Sequence, residues 1–201
     1  MFEVFLSHDN KDIDLIDRIW KILSNIKINA YIYERFRAYG EYIPETIRIR
    51  IKESSYFVVF LTKNGIKSQW VNQEIGIAHA YDKLIIPVKE TGIKSKGFIE
   101  LREHIEYSPD PKVPINTDYM IYHLVDRLRN LLFRHYETKN GLILECDCDH
   151  RFESDLPSTE EINRAIEKNR VFKLNCPNCN KEIEYSPYTF ELLKKETISK
   201  I

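Results

Sequence analysis

Short apolar runs alternate with amphipathic stretches along the first two thirds of the chain, and few folds accept that pattern. Phe2 to Leu6 reads as a strand, and Lys11 to Asn25 follows with Ile16, Ile19, Trp20 and Leu23 at helical spacing. Ile28 to Tyr33 alternates Ile28, Ala30 and Ile32 against Asn29, Tyr31 and Tyr33. A polar stretch through Gly40 then leads to Pro44, a residue suited to the first turn of a helix, in which Ile43, Ile47 and Ile51 form one stripe. Tyr56 to Leu61 is a continuous apolar run, as expected of a strand buried on both faces. Ser68 is placed to cap a helix with a Val71, Ile75 and Ala78 stripe, and Leu84 to Val88 reads as a fourth strand ending near Pro87. Gly92 to Phe98 reads as loop, and His104 to Tyr107 as a short fifth strand at an edge. Asp118 to Tyr136 is a helix with Ile121, Leu124, Val125, Leu128 and Leu132 on one face. Strands alternating with helices imply an α/β fold: a five-stranded parallel sheet covered on both faces, with a flavodoxin-like strand order. In such sheets ligands sit beyond the carboxyl ends of the strands, so residues just after the first three strands become candidates.

The polar joint from Glu137 to Gly141 ends this pattern and sets the expected division: an α/β domain over 1–136 and a small second unit over 141–190. The 30 basic and 31 acidic side chains nearly cancel. That removes the broad positive field of a dedicated nucleic-acid binder and argues against such a partner. No apolar stretch reaches the length of a membrane span, and the first residues lead into a strand instead of a signal-peptide core, so a cytosolic protein without membrane contact is expected.

All four cysteines fall in the second unit, whereas a disulfide framework would spread its bridges. Cys146 and Cys148 are separated by one residue, Cys176 and Cys179 by Pro177-Asn178. Short strands are expected at Leu142 to Leu144, Val171 to Leu174 and Glu182 to Tyr185, and a helix at Pro157 to Asn169 begun by Ser158 or Thr159. This looks like a zinc ribbon, in which four thiolates hold a structural Zn2+ and leave no open position for chemistry. The first pair is tighter than the usual spacing, so His150 is an alternative ligand to Cys146 or Cys148. Cys176-Pro-Asn-Cys179 also resembles a redox motif, but no thioredoxin-like frame surrounds it. Lys168, Arg170 and Lys173 are offset by Glu145, Asp147, Asp149 and Glu182, which favours stability or a protein partner as the unit's role.

Three stretches resemble TIR (Toll/interleukin-1 receptor) domains of the bacterial and archaeal kind. Val4-Phe5-Leu6-Ser7-His8, followed by Asp9 to Asp12, is similar to the family's opening box, and Tyr33 through Gly40 to Pro44 occupies the place of its BB loop. Ser68-Gln69-Trp70-Val71-Asn72-Gln73-Glu74 matches the family's Ser-x-Trp-x-x-x-Glu pattern on the helix after the third strand. The resemblance covers Met1 to Tyr136. The chain departs from it at Ala38-Tyr39 before Gly40, where Pro-Gly is common, and at Gly97-Phe98, which lacks the aromatic pair of receptor domains.

The resemblance implies an NAD+ glycohydrolase with Glu74 as its catalytic glutamate, releasing nicotinamide and either ADP-ribose or a cyclic ADP-ribose. A carboxylate beside the ribose carbon stabilises the charge that develops when a neutral pyridine departs, and no second acid is needed to expel it. Trp70 lies one helical turn from Glu74 and can stack on a base; Ser7 and His8 stand at the mouth of the same cleft. Tyr33, Arg35 and Arg37 lie at the start of the BB loop, the arginines as diphosphate partners. Self-association through that loop is implied too, one copy completing the site of the next in signalling or defence. Each residue also has a plainer reading. Glu74 can be a solvated residue favoured by the helix dipole, Trp70 a packing residue, His8 a partner of Asp9 or Asp12, and the arginines exposed loop charges. The corresponding whole-protein alternatives are a non-enzymatic scaffold for protein contacts and a nucleoside deoxyribosyltransferase of similar fold.

Overall fold

Five strands, β1 (Glu3–Ser7), β2 (Asn29–Tyr31), β3 (Tyr56–Leu61), β4 (Leu84–Glu90) and β5 (Ile105–Tyr107), pair in parallel in the order β2-β1-β3-β4-β5. This is the flavodoxin-like wiring expected from the alternation. The computed structural model describes residues 3–36, 42–94, 97–136, 141–155, 157–168, 170–187 and 192–193.

Side chains of a strand point alternately to opposite faces, and the core divides accordingly. Val58 and Phe60 of β3 join Val4, Leu6, Ile86 and Val88 under α1 (Ile13–Asn25) and, counting helices in chain order, α5 (Thr117–Tyr136). Phe57, Val59 and Leu61 join Phe5, Tyr31 and Ile85 under α3 (Ile43–Glu53) and α4 (Gln69–Ala80). On this second face Phe5 stacks against Tyr31 and Phe57 at centroid separations of 5.5 and 5.6 Å, which ties β1 to both neighbours. Burying each of these large side chains contributes about 2–3 kcal/mol.

Three features of the sheet domain depart from the expected elements. The first is α2 (Tyr33–Phe36), a single helical turn where loop was expected. The second is β4, which does not end near Pro87 but runs on to Glu90. Pro87 pairs with Val59 of β3, whereas β5 joins only from Val88 onward, so the missing N–H of Pro87 falls where the sheet is still open on one side. Third, Ile43 is 40% exposed and lies outside the core stripe of α3, which consists of Ile47 and Ile51.

The cysteine unit contains two antiparallel hairpins, β6 (Gly141–Glu145) with β7 (Arg151–Asp155) and β8 (Phe172–Asn175) with β9 (Glu182–Tyr185), with α6 (Thr159–Glu167) between them. β7 was not expected. Its residues alternate between exposed and half-buried, so its apolar signal is weak. Ser158 caps α6 in a capping box with Glu161, which settles the start of that helix. Leu144, Cys146, Ile162, Cys176, Ile183 and Tyr185 share one apolar cluster with residues of α1 and α5. Buried Arg129 of α5 adds a hydrogen bond from Nη2 to the Pro157 carbonyl oxygen at 3.0 Å.

Candidate active site

Parallel pairing of β1 with β2 and β3 carries Ser7 and His8 to the carboxyl edge of the sheet, between the exits of its neighbours. The exit of β2 is α2, which supplies Tyr33 and Glu34. The exit of β3 is pinned by polar contacts: Thr62 Oγ1 donates to Asp12 Oδ2 at 2.6 Å, Asn64 Nδ2 donates to Asp12 Oδ1 at 2.7 Å, and Gly65 N donates to Thr62 Oγ1 at 2.8 Å. A Cβ on Gly65 would stand 2.2 Å from the Phe60 carbonyl oxygen, so only glycine lets the chain double back here and start α4 over the sheet edge.

These elements enclose a hollow of about 260 Å³ whose lining includes His8, Asp9, Tyr33, Glu34, Trp70 and Glu74. That volume is near the lower end for small-molecule sites, enough for a nucleoside. Glu74 is buried and accepts a hydrogen bond from Ser7 Oγ at 2.5 Å. Burial pushes its carboxyl up to about 7, against the Ser7 hydrogen bond and the His8 charge, with the Glu34 charge adding to the rise. His8 lies with Nδ1 2.9 Å from the Leu6 carbonyl oxygen and Nε2 3.4 Å from Glu34 Oε2, an ion-pair distance without hydrogen-bond geometry. Burial works to depress this imidazole, but Glu34 and the Leu6 carbonyl outweigh it and hold it above its ordinary value. For Glu34 burial acts upward, and His8 outweighs it and leaves the carboxyl below the usual range.

The structure therefore brings together His8, Tyr33, Trp70 and Glu74 around one hollow, with Ser7 bound to Glu74. Glu74 is not a solvated helix residue. Trp70 is 49% exposed and forms part of the rim. His8 pairs with Glu34 and with neither aspartate: Asp9 accepts from Lys11 N, and Asp12 is taken by Thr62 and Asn64. Arg35 does not line the hollow. Its Nε donates to Asp17 Oδ1 at 2.9 Å and its guanidinium stacks over Trp20 at 4.2 Å, which turns it toward α1. Arg37 and the middle of the BB loop lie outside the described residues. Glu34 had not been singled out, although the rule that selected Ser7 and His8, a polar residue just past a strand's carboxyl end, applies equally to it. Two larger hollows, about 520 Å³ between α5 and α6 and about 580 Å³ beside β4, are lined by no buried ionisable group among the described residues.

At the other end of the chain the four cysteine sulfurs lie within 4.8 Å of one another, with Cys146 to Cys179 at 3.6 Å and Cys148 to Cys176 at 3.7 Å. A tetrahedral Zn2+ with sulfur ligands at about 2.3 Å sets its ligands about 3.8 Å apart, so the donor set fits that ion. The hairpin loops explain the unequal spacing. Residues 146–150 join β6 to β7 and residues 176–181 join β8 to β9, so the first loop is shorter and compresses its cysteine pair. His150 stays outside the cluster, stacked on Phe152. Among the described residues no helix is long and apolar enough to cross a membrane.

A family model for the TIR domain matches residues 4–112, more than half of the chain. A curated protein of Cytobacillus dafuensis, named "Putative cyclic ADP-D-ribose synthase TIR2", is 26% identical over 92 residues, a match spanning 42% of this chain and 24% of that protein. Among solved structures, the TIR domain of the Toll-related receptor TRR-2 from Hydra magnipapillata superposes with a TM-score of 0.52 at 15% identity, covering 69% of this chain and all of that one. The TIR domains of the activated Roq1 resistosome give 0.53 at 14% identity, covering 64% and 99%. At these identities the structural likeness concerns the fold.

Proposed function

Since the chain belongs to the TIR domain family, we propose that it cleaves the bond between nicotinamide and ribose in NAD+, with Glu74 as the catalytic carboxylate. A buried carboxylate, held by Ser7 beside a hollow of nucleoside size, is the observation that carries this reading. The relative named for cyclic ADP-D-ribose synthesis supports it.

As the C–N bond breaks, its electron pair passes to the ring nitrogen, nicotinamide leaves neutral, and positive charge appears on the ribose carbon. A carboxylate beside that carbon, or bonded to the ribose hydroxyls, stabilises the charge. Water then adds to the carbon and gives up a proton, yielding ADP-ribose; attack by an adenine nitrogen yields a cyclic ADP-ribose. Ser7 aims Glu74 into the hollow, and Trp70 offers a ring on which nicotinamide or adenine can stack. The lining carries Asp9, Glu34 and Glu74 and, among the described residues, neither lysine nor arginine. It suits the cationic nicotinamide end of NAD+ and leaves the diphosphate outside.

Ile43 and Trp70, both substantially exposed, line the hollow and give its mouth an apolar rim. Such a rim suits contact with a second copy, whose BB loop would complete the site. The cysteine unit, residues 141–190, is in this reading a second unit packed on α1 and α5, with Cys146, Cys148, Cys176 and Cys179 holding a structural Zn2+ that stabilises two short hairpins.

The test is to incubate concentrated protein with NAD+ and measure nicotinamide, alongside a Glu74→Ala variant. Release by the native protein alone is expected. Equal release by both, or none by either under conditions that promote association, supports instead a scaffold for protein contacts.

A further inference from the structure

His8 sits where both ring nitrogens face acceptors. Its side chain is 3% exposed. Nδ1 lies at hydrogen-bond distance from the Leu6 carbonyl, which can only accept, so that nitrogen carries a proton. Nε2 is buried, lacks a hydrogen-bond partner among the described residues, and faces the Glu34 carboxylate at 3.4 Å. An acceptor on one side and an anion on the other make the imidazolium the form this pocket suits. Glu74 lines the same hollow and is attracted by the His8 charge.

We propose that Glu34 is a positioning residue of the TIR site: it holds His8 as a buried imidazolium, and that cation keeps the neighbouring Glu74 ionised for the reaction. The role in catalysis rests on the proposed cleavage of NAD+; the charge relay itself does not. The charged groups acting on His8 are Glu34 from α2 and Glu74 from α4; Asp9 of its own segment lines the same hollow and accepts from Lys11 N. Asp17 of α1 acts on Glu34 and is itself paired with Arg35. Glu34 also repels Glu74 directly, but this effect is smaller than the attraction of His8. Without Glu34, burial drives His8 toward its neutral form, and once that proton is gone Glu74 has lost more help than hindrance.

Two titrations test the relay without any turnover. In 15N-histidine spectra of the native protein, with the His8 signal assigned by its loss in His8→Gln, the imidazolium should persist above pH 6.5. In the isosteric Glu34→Gln protein it should lose its proton at lower pH. In 13C-carboxyl spectra the Glu74 midpoint should move upward in both Glu34→Gln and His8→Gln. A neutral His8 in the native protein at pH 6, or a Glu74 midpoint unmoved in properly folded variants, would overturn the inference. With NAD+ as substrate, Glu34→Gln should move the acid limb of the pH–rate profile upward: for a Glu74 midpoint raised about one unit from about 7, kcat falls roughly threefold at pH 7.5 and up to about tenfold below pH 6, with recovery in Glu34→Asp. A fall that is uniform across pH would also overturn it. If the native protein released no nicotinamide, the proposed function would fail, and the two titrations would still decide whether the relay exists.

Discussion

Replacing Glu74 with glutamine should make the protein more stable in alkaline solution while abolishing turnover. The side chain is buried, and its carboxyl is pushed from 4.5 to about 7. The folded protein thus holds this proton more tightly than the unfolded chain. The stability this contributes is fully present below pH 4.5 and is lost as pH rises through about 7. At about 1.4 kcal/mol per unit, ionised Glu74 costs about 3 kcal/mol at pH 8. Glutamine has the same shape, stays neutral, and still offers an oxygen to Ser7 Oγ. Urea unfolding of both proteins should therefore give near-equal free energies at pH 4.5 and a gap of about 3 kcal/mol in favour of Glu74→Gln at pH 8, equivalent to roughly 6–12 °C in melting temperature. Comparing the two proteins at each pH cancels the titrating groups that do not interact with Glu74, which leaves His8 and Glu34 as its coupled neighbours. A gap independent of pH, or a variant less stable than the native protein at pH 8, would refute the view that a buried carboxylate is kept at the expense of stability.

Ser7→Ala should remove the donor that favours ionised Glu74, raising its midpoint further, lowering turnover most near neutrality and costing about 1–3 kcal/mol at pH 8; an unchanged pH–rate profile would count against the contact. Cys176→Ser should lose bound zinc, measured by elemental analysis of the purified protein, and lower the melting temperature by destabilising the two hairpins; a metal-free, well-folded native protein would defeat the zinc proposal. Arg35→Ala breaks contacts to Asp17 and Trp20 and leaves the hollow untouched, so it should cost no more than about 1 kcal/mol with KM for NAD+ little changed; a large rise in KM would show that the guanidinium reaches substrate.

What could be read from the chain followed the range of the interaction. The unbroken apolar run of β3 announces burial on both faces, and alternating residues of that run do enter two different cores. Trp-x-x-x-Glu located Glu74, but not its burial, because Ser7, which completes its setting, is 67 residues away. Glu34 was open to the strand-end rule that selected Ser7 and His8, but its partner was not: an acid beside a loop looks solvated until His8 is placed next to it. Arg35 was assigned from its loop position, and only the folded chain shows Trp20 and Asp17 claiming it. β7, with no deeply buried face, offered no periodicity to find.

The central claim is that the Glu74 carboxylate carries the cleavage of NAD+. Its most direct measurement is nicotinamide release by the native protein and by Glu74→Gln, at matched high concentration and on both sides of pH 7. The account predicts native release that climbs as pH passes through about 7 and a loss of at least about 10²–10³-fold in the variant. Comparable rates from the two proteins would contradict it.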